Sequence, residues 1–108
     1  MTLSQGQLNF FDTFGYLLIR QLFSPEETEK IIEGFERSIQ NWCGGKDPGR
    51  ATRIMFPGPI EHHPDMSAIL DHPSILGLIG GVLGEDFYYC GGDGNYYVGD
   101  TGWHSDGW

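Results

Sequence analysis

The chain has 108 residues, with fifteen acidic side chains against six basic ones, a formal net charge of −9, seventeen glycines and two cysteines. That is enough for one domain with a modest core, and a chain this acidic with no Lys/Arg cluster is unsuited to a phosphate backbone, which excludes nucleic acid as a partner. No apolar run nears the ~20 residues needed to cross a bilayer, and Met1-Thr2-Leu3-Ser4-Gln5 lacks the form of a signal peptide, so the expectation is a cytoplasmic protein without a membrane partner.

Ser4-Gln5-Gly6-Gln7 has the capping-box form, and Leu8, Phe11 and Phe14 recur at helical spacing, which predicts a first helix stopping at Gly15. Tyr16 to Arg20 is short and apolar and is expected to form a buried strand. Ser24-Pro25-Glu26-Glu27 places a cap, a proline at the first helical position and a carboxylate that returns to the cap. The stripe Ile31, Ile32, Phe35, Ile39 and Trp42 carries this second helix to about Trp42, before Gly44-Gly45.

Residues 44–65 are loop-like, with Arg53-Ile54-Met55-Phe56 as a candidate strand, and Met66 to Leu70 fits a helical turn. His72-Pro73-Ser74 opens a further helix through Leu83, stopped by Gly84. Phe87 to Cys90 and Asn95 to Val98 then flank Gly91-Gly92-Asp93-Gly94, the pattern of a β-hairpin, and Trp103 to Asp106 is expected as the next strand. Helices followed by glycine-punctuated strands predict an α+β fold. It is one domain over 1–108, with a mainly helical part (1–84) and a β-rich part (85–108).

Charge divides the chain in the same way. Residues 1–53 hold six bases and seven acids (net −1), whereas residues 54–108 hold no base and eight acids (net −8). Within that second part, His104 and Asp106 stand at i and i+2, which in an extended strand share a face. An imidazole and a carboxylate so placed are two of the three ligands of a 2-His-1-carboxylate iron site. The bland alternative is a surface His beside a turn Asp. A cation-free, acid-rich setting favours the metal, and Trp103 on the opposite face suits a buried strand.

Four pieces of the chain together resemble the phytanoyl-CoA dioxygenase family of Fe(II)- and 2-oxoglutarate-dependent oxygenases. They are Phe10 to Arg20, Leu22-Phe23-Ser24-Pro25-Glu26-Glu27, His72-Pro73 ahead of a helix ending Leu83-Gly84, and Trp103-His104-Ser105-Asp106. They are collinear with the family and span nearly the whole chain. The resemblance implies N-terminal helices on a double-stranded β-helix (jelly-roll, cupin-like) core. It implies metal-ligand roles for His104 and Asp106, a small-molecule substrate, and Fe(II), O₂ and 2-oxoglutarate as cofactor and co-substrates. The implied reaction is oxidative decarboxylation of 2-oxoglutarate to succinate and CO₂ coupled to hydroxylation of a C–H bond, and Asp106 at the carboxylate position favours hydroxylation over halogenation.

Members of that family are more than twice as long, with a second ligating His and a 2-oxoglutarate-binding Arg after the His-x-Asp. The chain therefore reads as the N-terminal portion of such an oxygenase. Within the 108 residues, His62, His63 and His72 are the imidazoles available as a third ligand, although each adjoins a proline-rich loop or helix start, where turn or capping roles are usual. Arg53, on the candidate strand, and Arg50 are the cations that could approach the 2-oxoglutarate carboxylate, Arg53 being the candidate for that role, with a solvated arginine as the ordinary alternative. Tyr88, Tyr89, Tyr96, Tyr97, Trp103 and Trp108 form an aromatic set; ordinary strand packing accounts for most of them, and Trp108, Trp103 and Tyr97 are the substrate-pocket candidates.

Gly91 to Asn95 resembles a calcium-binding glycine-rich repeat, but it occurs once, with Tyr96 where that repeat needs Asp. Cys90 with His104 and Asp106 has the residue types of a cysteine nucleophile site; a Cys in an aromatic strand is ordinarily an inert small hydrophobe. A non-catalytic metal-binding or interaction module that needs a partner chain is the alternative from another class. A cupin-like isomerase or zinc hydrolase using the same ligands is a third reading.

Overall fold

The structure is a computed structural model that describes residues 1–105. Its helices form where the caps place them. In α1 (Gln5–Phe14) the Ser4 hydroxyl accepts the Gln7 N–H at 3.2 Å and the Gln7 side chain accepts the Ser4 N–H at 2.9 Å. Gly15 closes the helix at φ 77°, a left-handed conformation that a β-carbon would strain. In α2 (Pro25–Trp42) Ser24 and Glu27 make the same reciprocal pair, at 3.1 and 2.8 Å, with Pro25 at the first position.

Strand β1 (Ile54–Pro57) is followed by a 3₁₀ turn (Pro59–His62), the short helix α3 (Pro64–Ser67), and α4 (Pro73–Leu83). Strand β2 (Asp93–Tyr96) pairs antiparallel with β1 in the register Ile54↔Tyr96, Phe56↔Gly94 and Pro57↔Asp93. The fold is α+β, and among the described residues the sheet has these two strands and no jelly-roll. No helix among those residues is long and apolar enough to cross a membrane.

Three strand expectations give way, for one physical reason. A strand exists only against a partner that takes up its backbone groups. Residues 16–19 take no regular structure and pair with no strand; Leu17 and Ile19 turn inward while Tyr16 and Leu18 stay exposed, so the period of two is present without a ladder. The 87–90/95–98 hairpin does not form, because β1 captures residues 93–96, including two of the expected turn residues. Residues 101–105 are irregular, so the expected strand from Trp103 is absent over its described part, and Trp103 is fully exposed, not buried. Segment 85–105 thus contributes one strand, β2.

The core sits where α2 crosses the sheet. Phe56 and Ile39 are fully enclosed, with Met66 of α3 beside them. Buried Ser38 donates its hydroxyl proton to the Pro59 carbonyl at 3.0 Å. Phe35 packs on both Phe56 and Tyr96, each at 5.7 Å between ring centroids. Gly94 makes this possible: a β-carbon there would lie 2.6 Å from Phe56 Cε1 and 3.0 Å from Phe35 Cε2. Away from this core, Leu3, Phe11, Leu17 and Ile19 line an open apolar groove of about 370 Å³ with Ile75, Leu78, Ile79, Val82 and Leu83 of α4.

Candidate functional site

The strand pairing has a chemical consequence. Because Ile54 lies opposite Tyr96, the two arginines just before β1 are carried onto the half of the sequence that holds no cation of its own. Arg53 donates from Nη2 to Asn95 Oδ1 at 2.9 Å, and its guanidinium carbon stands 4.6 Å from the centre of the Tyr97 ring. Arg50 lies over Tyr96, its guanidinium carbon 3.7 Å from the ring centre, and pairs with Glu36 at 2.6 Å. The Tyr96 hydroxyl closes the network by donating to the other oxygen of Glu36.

Electrostatics follow from these contacts. The Glu36 carboxylate, as acceptor of the Tyr96 hydroxyl, holds that phenol above its ordinary range, with burial adding to the effect and Arg50 opposing it. Hydrogen bonding to Glu36 likewise raises the Arg50 guanidinium. Arg50 is thereby committed to Glu36, whereas the guanidinium of Arg53 makes one hydrogen bond among the described residues. Of the two, Arg53 is the one with donors left for an anion.

The sequence-assigned residues are thus partly gathered. Arg53 and Tyr97, assigned to co-substrate and substrate, are brought together on the β2 side of the sheet. His104 is described and exposed, with Nδ1 3.2 Å from the Ser105 carbonyl. Asp106 and Trp108 lie outside the described residues. Trp103 is not a pocket wall in this arrangement, since its whole ring surface faces solvent.

The three other histidines are occupied by structure. His63 and His72 each cap a helix, accepting at Nδ1 the N–H of Asp65 and Ser74, both at 3.2 Å. The His62 ring packs against Trp42 and Phe56. Among the described residues no three His, Cys, Asp or Glu side chains are grouped to hold a metal ion. The described donor set therefore does not by itself frame an iron site. Cys90, expected inside an aromatic strand, is exposed, because that strand does not form.

What sequence reading missed here is the Glu36–Tyr96–Arg50 network. Glu36 lies on α2, sixty residues before Tyr96, and no local spacing links them. Comparison with known proteins finds no matching family model, no matching curated protein and no matching solved structure.

Proposed function

We propose that this chain carries the metal-ligating His-x-Asp of an Fe(II)- and 2-oxoglutarate-dependent dioxygenase that hydroxylates a small organic substrate. His104 and Asp106 are the ligands in this reading, and the double-stranded β-helix core belongs to it as well. One geometric observation supports it: the β1–β2 pairing sets Arg53 against Tyr97 and Asn95, so the acidic, aromatic segment leading to His104 receives a guanidinium. A planar guanidinium with uncommitted donors is the side chain best shaped for a carboxylate. In this role Arg53 binds and orients the co-substrate carboxylate, Asn95 fixes the guanidinium plane, and Tyr97 covers one of its faces.

Anaerobic titration of the protein with Fe(II) in the presence of 2-oxoglutarate tests the assignment through the visible charge-transfer band of the ternary complex, followed by succinate release in air. His104→Ala and Asp106→Ala are expected to lose both signals, and Arg53→Ala to need more 2-oxoglutarate for the same band. Coupled turnover that persists in both ligand variants would overturn the assignment.

A second reading, a non-catalytic module completed by a partner chain, is favoured by surface area. The chain exposes 8293 Å², against about 6,000 Å² for a compact monomer of this mass. Under that reading Fe(II) binds without a 2-oxoglutarate band, and the two ligand variants leave partner capture unchanged.

A further inference from the structure

Helices α3 and α4 begin alike. Each has His at the N-cap and Pro at the first position, His63-Pro64 and His72-Pro73, and in each the imidazole Nδ1 accepts the N–H two residues on. An imidazole nitrogen accepts only when it carries no proton. At His72 the tautomer follows from its second contact: Nε2 lies 3.0 Å from Glu27 Oε1, and a carboxylate offers only acceptors, so the proton sits on Nε2 and the ring is neutral. Adding a second proton would place a hydrogen on Nδ1 facing the Ser74 N–H, donor against donor.

Beyond that cap, no charged side chain of its own supports the first turn of helix α4. It has eleven residues, three of them the poor helix formers Gly77, Gly80 and Gly81, with no acidic residue in its first turn and no basic residue in its last. Helices α1 and α2 begin instead with serine boxes, whose hydroxyls do not titrate.

We propose that residues 63–83 form a proton-sensitive segment: two neutral imidazoles cap it, and their protonation loosens α3 and α4 while α1 and α2 stay formed. The charges around each ring bear on the sign. His72 pairs with Glu27 and shares a cavity lining with Lys30 of α2 and Asp65 of α3. His63 pairs with Asp65 and shares the linings of two open cavities with Glu33, Glu36, Arg37 and Asp47 and with Glu61 and Asp71. An ion pair with a half-exposed carboxylate such as Glu27 contributes less than an N-cap, and the positive end of the helix repels the new charge, so the lost cap decides the sign. At His63 the Asp65 carboxylate lies 3.8 Å from Nδ1 itself and so faces the nitrogen that would gain the proton, whereas Glu27 meets His72 at Nε2; α4 is therefore the more responsive helix. Loosening α4 removes one wall of the apolar groove, baring Leu17 and Ile19.

Amide hydrogen exchange of the full chain at about pH 7.5 and about pH 5, corrected for intrinsic rates, reads the effect across the imidazole range. Protection of the α4 amides is expected to fall about five-fold in acid, the size of a lost cap, with α2 unchanged. His72→Asn keeps an uncharged cap and is expected to flatten the response. Glu27→Gln keeps the α2 box, removes the opposing charge, and is expected to enlarge it. Imidazole ¹⁵N shifts of the unmodified protein give a readout that needs no variant: Nε2–H with bare Nδ1 at neutral pH is expected for His72. A proton on Nδ1 at neutral pH, α4 protection that does not change with pH, or an undiminished response in His72→Asn would each overturn the proposal.

Discussion

At the scale of single residues, the tightest constraint is the absence of one carbon. Gly94 lets β2 lie flush under Phe56, and the β-carbon of alanine would meet Phe56 Cζ at 2.8 Å and backbone-anchored rings on two elements. Gly94→Ala is expected to destabilise the protein by about 1–3 kcal/mol, the usual cost of overpacking, measured as a lower urea midpoint. The Tyr96 hydroxyl is a milder case. Its loss in Tyr96→Phe removes a charge-assisted but partly solvated hydrogen bond to Glu36, and a cost of about 1 kcal/mol is expected. The same contact gives an alkaline signature. Because Glu36 raises the folded phenol above its unfolded value, the stabilisation is complete below the unfolded value and lost as pH rises through the folded one. Tyr96→Phe is expected to abolish that alkaline component in denaturation curves taken across the tyrosine range.

At the scale of elements, Glu27 joins two helices. Its Oε2 closes the α2 box and its Oε1 receives His72 from the head of α4. The Ser24 N–H, and after it His72, hold this carboxyl below its ordinary range. A depressed folded value means that the stabilisation is present above the unfolded carboxylate pKa and is lost as pH falls through the folded one. Helicity of α2 is therefore expected to decline only at strongly acidic pH, and Glu27→Gln to remove that decline in circular dichroism titrations.

The elements also show which parts of the fold were legible in sequence. α1, α2 and α4 end within a residue of their expected bounds, since a serine or histidine cap, a proline and a closing glycine are all local signals. The strands were less legible because pairing is not local: nothing near Asp93 announces that Pro57 will sit opposite it. The candidate site divides the same way. The meeting of Arg53 with Tyr97 depends wholly on that pairing, whereas the capping roles of His63 and His72 were readable from the prolines beside them.

At the scale of the whole molecule, the enclosed side chains are few. Phe56, Ile39, Met66 and Pro59 are the buried apolar side chains among the described residues, while Leu18, Met55, Leu83 and Tyr88 lie open. The radius of gyration is 15.8 Å, against about 13 Å for a compact chain of this length. With so few residues at the centre, each counts heavily: Phe56→Ala is expected to cost about 3–5 kcal/mol, a large share of the roughly 5–15 kcal/mol of an ordinary domain, read as a lower urea midpoint.

That unfilled surface has a thermal counterpart. Water already covers much of what unfolding would expose, so the heat capacity should rise little on melting. Scanning calorimetry is expected to give an increment below the roughly 12–15 cal/mol/K per residue of compact domains, and a stability curve correspondingly flat. Such a molecule melts broadly and gradually, and cooling does little to firm it.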